Sequence, residues 1–248
     1  MVVAVVVVVV VVVVALVASG VLTPSSSHGQ GVTGTPLSYS QVASEGAQGI
    51  LNQSSTSGPV GWTLVAVEGL GLTTSASGSN AQATAGSGCA ATPASGAPSS
   101  TILPATPTGS PSGTAAVWVF LATGSGGDLL FYVVTQAASY PLFVLSGSCT
   151  DTYDELGNLS GYSVVDSTVV AASANAAGGS AFLSSNPNSL QAYALFGPGL
   201  SGSSVPYWAV EYNTCDFSTS GTGTIWASIY NAENGSVVTS PLTESTSC

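Results

Sequence analysis

The chain has 248 residues with 11 acidic side chains, one histidine and neither lysine nor arginine, giving a formal net charge of −11 with charged residues at 4%. A chain without lysine or arginine lacks the permanent cations that hold a phosphate backbone by releasing counter-ions or settle on an anionic lipid surface, which excludes nucleic acid as a partner. At 45% hydrophobic it is too apolar to be disordered, and it is long enough to bury a real core. Its carboxylates, ordinarily near pKa ~4, leave the surface almost neutral below about pH 3, which points to work outside the cell in hot, acidic water.

Valine dominates the first stretch. Val2, Val3, an unbroken run from Val5 to Val14, Leu16 and Val17 are followed by Ser19, Gly20 and Pro24, and fourteen of residues 1–22 are valine. As an α-helix this stretch is about 33 Å long at ~1.5 Å per residue, enough to cross a bilayer core. A secretory signal or single-span anchor carries basic residues beside its apolar segment. Their lack leaves two readings, a basic leader removed before Met1 or a helix not finally held in a bilayer, and the expectation is a helix that comes to rest among copies of itself. Val2, Val3, Val5, Val8, Val9, Val12 and Leu16 then form a polymerisation helix.

An apolar N-terminal helix, a small-residue break and a Ser/Thr/Gly-rich, strand-rich remainder resemble the archaeal type IV pilins and archaellin-like filament subunits. The specific part of the likeness covers residues 1–24. Bacterial type IV pilins carry Glu at the fifth mature position, and Val5 stands here. The resemblance implies an extracellular pilus-like appendage, a helical homopolymer whose partners are identical subunits, with surfaces or other cells as further contacts and a membrane only before assembly. Two alternatives stay open. One is a surface or binding domain anchored in the membrane by the helix; the other is a strand-exchanged fibre subunit, which valine's β preference suits.

Residues 23–36 (TPSSSHGQGVTGT and one more) read as a flexible hinge, and 37–248 as the extracellular domain. In LSYSQVASEGAQGILN (37–52), Val42, Ala43, Ala47 and Ile50 share a helical face, with Gly46 and Gly49 weakening the helix. The apolar run VGWTLVAVEGLGL (60–72) is the first strand. A Ser/Ala/Gly/Pro-rich tract at 73–113 has no clear period and reads as a surface excursion. Segments 115–123 and 128–136 flank GSGG as a hairpin, apolar on both faces and therefore central. Residues 140–149 are a further strand.

The segment DTYDELGNLSGYSVVD lacks the spacing of an EF-hand loop and reads as a hairpin turn. Residues 169–183 form an Ala-rich helix broken at Gly178 and Gly179. Strands follow at 190–197, 205–213 and 223–239, with Trp208, Val210 and Tyr212 on one face and Ala209, Glu211 and Asn213 on the other. Asn234-Gly235 predicts a type I′ turn. This ending is similar to the tail of PepSY-type domains, over about 35 residues, which implies a sheet backed by helices. The fold class expected is therefore α+β: a long N-terminal hydrophobic helix, then an antiparallel β-rich domain with one or two short helices.

Cys89, Cys149, Cys215 and Cys248 show no C-x-x-C pair, and His28 lies far from all of them. Two disulfides are expected, their pairing open, and no metal site. Asn52, Asn158 and Asn234 head Asn-x-Ser sequons in turn-like settings, candidates for N-glycosylation. With one His and no Lys or Arg, triads, Schiff bases and phosphoryl transfer lack their parts. Paired carboxylates among Asp151, Asp154, Glu211 and Asp216 would be the remaining route, to glycoside hydrolysis. Trp62, Trp118, Trp208 and Trp226 read as core anchors. The expectation is a structural protein with no catalytic residue and no cofactor.

Overall fold

The computed structural model describes residues 35–53, 61–70, 72–79, 89–97, 100–107, 112–147, 150–187, 189–199, 202–214 and 221–247. The expected architecture needs correction. No long apolar helix organises the described residues; the longest helix has 13 residues, none is long and apolar enough to cross a membrane, and a nine-stranded antiparallel sheet dominates. The helix expected at residues 1–22, with Val2, Val3, Val5, Val8, Val9, Val12 and Leu16, lies outside the described residues, as does most of the expected hinge.

Helix α1 (Tyr39–Leu51) precedes β1 (Thr63–Leu70), β2 (Leu72–Ser79), β3 (Cys89–Pro93), β4 (Ser100–Pro107), β5 (Val117–Thr123), β6 (Leu129–Val134) and β7 (Ser139–Gly147). A one-turn helix α2 (Asp151–Asp154) leads to α3 (Ser167–Ala174), a wide turn at Asn175–Gly179, and α4 (Ser180–Ser185). The chain ends with β8 (Leu190–Phe196), β9 (Tyr207–Asn213), β10 (Thr222–Asn231) and β11 (Val237–Ser247). The sheet order is β11-β10-β9-β8-β1-β5-β6-β7-β3, and β2 pairs with β4 as a separate ribbon. Three strands therefore fall in the tract at 73–113 that shows no sequence period.

The sheet is a pseudo-twofold pair of meanders joined at a β1–β8 seam. Each half is a helix followed by four strands that lie side by side from the seam outward: α1 with β1-β5-β6-β7, and α3–α4 with β8-β9-β10-β11. Taking the opposed pair Glu68 and Ala194 as the centre, Gly69 pairs with Trp118 on one side and Leu195 with Trp208 on the other. The two tryptophans thus hold matching positions. The register slips at matching places too, after Phe131 in the β6–β7 pair and after Ala227 in the β10–β11 pair.

Helix α1 packs on β5, β6 and β7, and α3 on β9, all on one face. That face carries Val67, Trp118, Phe120, Tyr132, Tyr193, Trp208, Tyr212 and Trp226. The contact surface of α1 differs from the expected one. Gly46 and Gly49 are buried beside Val42 and Ile50, while Ala43 and Ala47 are half-buried. A Cβ at Gly46 would land on the Phe120 ring and one at Gly49 on the Tyr132 ring, so the glycines admit two aromatic rings against the helix backbone.

The tryptophans anchor the helices. Trp118 Nε1 donates to the Leu37 carbonyl at 2.9 Å and Trp208 Nε1 to the Val165 carbonyl at 3.2 Å. Leu37 and Val165 each stand one residue before a helix N-cap, Ser38 and Asp166. The two helix starts also bond each other, Ser40 N–H donating to Asp166 Oδ1 at 2.8 Å and Tyr39 N–H to Ser167 Oγ at 2.9 Å. Tyr39 sits edge-on to both tryptophans, at 6.1 and 5.3 Å.

Two turns differ from expectation. The 151–166 segment is not a hairpin; it forms α2 and then crosses the end of the sheet, Leu159 N–H donating to the Leu64 carbonyl at 2.9 Å. The β10–β11 loop is longer than a two-residue turn: Gly235 N–H donates back to Asn231 at 2.8 Å and Asn231 N–H to Ser236 at 2.8 Å, with Gly235 at φ +72. The kink at Gly178 (φ +113) falls where the sequence breaks the helix.

Candidate functional site

The face of the sheet opposite the helices is apolar at β5, β6 and β7, with Val119, Leu121, Phe131 and Phe143 among its core residues. On β8, β9 and β10 it carries Phe196, Tyr207 and Ile229 at one end and the small Ala192, Ala194, Ala209 and Ala227 beside them, and two carboxyls stand among the alanines. Glu68 on β1 opposes Ala194, and Glu211 on β9 opposes Ala192. Strand β8 lies between them, with a two-residue offset, so ideal sheet spacing puts their Cα atoms roughly 12 Å apart. Both side chains lie on this one face, and the carboxyls are near enough for the charge of Glu211 to act on Glu68.

Both carboxyls are 2% exposed. Glu211 Oε1 accepts a bond from Asn213 Nδ2 at 3.0 Å, while Glu211 Oε2, Glu68 Oε1 and the hydroxyl of the buried Tyr153 have no hydrogen-bond partner among the described residues. Burial first, then the neighbouring Glu211, pushes the Glu68 carboxyl up to about 8. Burial pushes Glu211 up to about 7 against the opposing pull of the Asn213 bond. Tyr153 rises well above the ordinary phenol through burial and then the proximity of Glu68.

Of the four carboxylates singled out from sequence, Glu211 alone belongs to this arrangement. Asp154 is exposed, Asp151 is described only as helix backbone, and Asp216 lies outside the described residues. Glu68 is the residue that sequence reasoning missed. It is the one charge within a strand buried on both faces, as Glu211 is in YWAVEYN, and a lone acid in such a run is the signal that would have found it.

A second feature is a cleft of about 400 Å³ at the β6–β7–β3 end, lined by Gln53, Trp62, Thr92, Asp128 and Ser146 among others. It holds one carboxylate and no second acid or base. Trp118, Trp208 and Trp226 are buried in the core as read from sequence. Trp62 is half-buried in the cleft wall, its Nε1 without a partner among the described residues.

The remaining sequence-derived residues are spread over the domain. Asn52 caps the end of α1, and Asn158 and Asn234 lie in loops; all three are exposed. Asn158 Oδ1 accepts from Ser160 N–H at 2.8 Å and Asn234 Oδ1 from Ser236 N–H at 2.9 Å. Cys89 opens β3 opposite Gly147. Cys149, Cys215 and Cys248 lie outside the described residues, as does His28. Among the described residues no group of three His, Cys, Asp or Glu side chains converges as a metal site would require.

No protein-family model matches the chain, no curated protein matches it, and no solved structure matches it. These comparisons identify neither a pilin nor an archaellin family.

Proposed function

We propose that the chain is a non-catalytic structural subunit of an extracellular filament, joined to identical copies through its valine-rich segment, residues 1–22, with the nine-stranded domain displayed outward. The observation that carries this reading is fourteen valines in 22 residues of a chain without one lysine or arginine. At very roughly 1.5 kcal/mol for each fully buried valine, the segment represents about 20 kcal/mol of apolar burial before ordering costs.

The domain supports the reading by what its sheet margins do. Among the described residues β11 and β3 are the outer strands. β11 carries Pro241 inside a register slip, and β3 ends at Pro93. Proline and bulges spoil a strand edge for pairing with another chain, so association falls to a segment outside the sheet. In this proposal the four cysteines form two bridges, and Asn52, Asn158 and Asn234 carry glycans.

Negative-stain electron microscopy of the wild-type chain and of Val8→Asp tests it. Filaments are expected from the first and single particles with a folded domain from the second. Filaments of equal number and length in Val8→Asp would overturn the reading, and so would wild-type single copies that stay with the lipid fraction, the behaviour of a membrane-tethered domain.

A further inference from the structure

We propose that Glu68 and Glu211 form an acid lock, a carboxyl pair that allows the face opposite the helices to stay covered only while both groups hold their protons. The geometry begins with the absence of any compensating charge. No lysine or arginine exists in the chain, and among the described residues no cationic side chain is present to neutralise either carboxylate.

The elements around the pair confirm the lack. β5 opposes Glu68 with Val119 and β8 with Ala194; β10 opposes Glu211 with Ala227. On β9 the same face adds Asn213, which is neutral, and Tyr207, whose phenol burial pushes up. α2 brings Tyr153, and every other ionisable residue in the 150–160 segment is acidic, with Asp154 and Glu155 exposed. β4 approaches β8, and the tract at 73–113 from which it comes contains no Asp, Glu, Lys, Arg, His or Tyr. Taking two unpaired carboxylates out of water costs far more than protonating them. The buried state is therefore the state of two neutral acids.

The linkage has a definite sign. Both folded-state pKa values lie above the ordinary glutamic value of 4.5, at about 8 and about 7. The folded domain then holds more protons than the unfolded chain between those limits. The pair's stabilisation is complete below about pH 4.5 and is lost as pH rises through 7 and 8. A chain made at near-neutral pH and released into acid would be loose first and locked afterwards. This does not depend on assembly, since the lock acts within one domain.

Thermal unfolding of the full chain at about pH 4 and about pH 8 tests it, comparing the wild type with the double variant Glu68→Gln, Glu211→Gln and with Glu244→Gln, an exposed acid on β11. The wild type and Glu244→Gln are expected to lose more than about 10 °C of Tm on going to pH 8, and the double variant less than a third of that. An equal loss in the double variant would overturn the lock. A second measurement needs no variant: infrared spectra of the wild type at pH 6 should retain the carbonyl stretch of a protonated carboxylic acid, and a spectrum of carboxylates alone would overturn it as well.

Discussion

On the helix-backed face of the sheet, Trp118 and Trp208 bury their rings and give their single N–H groups to the carbonyls of Leu37 and Val165, whereas on the opposite face Glu68 and Glu211 are buried with an oxygen left over on each. The difference lies in what a backbone can offer. A helix start leaves a carbonyl just before its N-cap, ready to accept from an indole, and the pseudo-twofold fold supplies two such carbonyls. An acid needs a donor, and strands buried in a ladder have already spent theirs on each other. In a chain without lysine or arginine, the way left to keep such an acid buried is its own proton. One face is accordingly held by donors and rings that do not titrate near neutrality, the other by groups that do.

The largest effects belong to the aromatic seam. Trp118→Ala and Trp208→Ala should each cost about 3–5 kcal/mol in chemical denaturation, because each empties a fully buried ring's volume and strips a helix of its anchor. The two rings lie 6.4 Å apart, so the double variant should fall short of the sum of the singles. A loss below about 1 kcal/mol for either would break the picture of matched anchors. Gly49→Ala is next. Helix propensity alone makes it stabilising by up to about 1 kcal/mol, but the added Cβ meets the Tyr132 ring, and overpacking should make it destabilising by about 1–3 kcal/mol. The sign of that single measurement decides whether the glycine weakens the helix or seats it.

Much of the domain was legible because its strands are runs whose composition leaves little choice. VWVFLAT and LLFYVV are apolar on both faces and became central strands buried almost throughout. YWAVEYN was legible as a strand with two faces, but its alternation did not reveal that the face with Glu211 and Asn213 is buried as well. The glycines of α1 were misread because propensity weighs a residue against water, and the rings that fill the space above Gly46 and Gly49 come from strands about 70 to 80 residues further on. The repeat stayed hidden for a similar reason. Its halves share a tryptophan one residue into a strand and a Pro-Leu pair, Pro141-Leu142 and Pro241-Leu242, but the tract at 73–113 interrupts one half and not the other. Glu68 was legible in principle, since an acid in the middle of VAVEGL is costly wherever that strand is buried; what sequence could not supply was the strand two places away that brings Glu211 to the same face.

The smallest predicted effect sharpens the contrast between the faces most directly. Asp166 starts α3 and accepts from Ser40 N–H at the start of α1, with Thr168 Oγ1 donating to its other oxygen at 2.8 Å. Partial burial raises its pKa, but the bonds from Ser40, Thr168 and Ser38 outweigh it and leave the carboxyl below its ordinary value of 3.8. A lowered acid contributes stability that is present above its unfolded pKa and lost as pH falls through the folded one, the reverse of Glu68 and Glu211. Stability should therefore peak at about pH 4–5, with one limb set by each face. Asp166→Ala should cost about 1 kcal/mol at pH 5, because the Ser40 N–H in the first turn of α1 loses the carboxylate that accepts from it, and much less at pH 2, where the wild-type carboxyl has taken up its proton. It should leave the decline towards pH 8 untouched. Equal losses at pH 2 and pH 5 would mean that the helix junction holds through neutral hydrogen bonds alone, and the acid limb would then need another carboxylate.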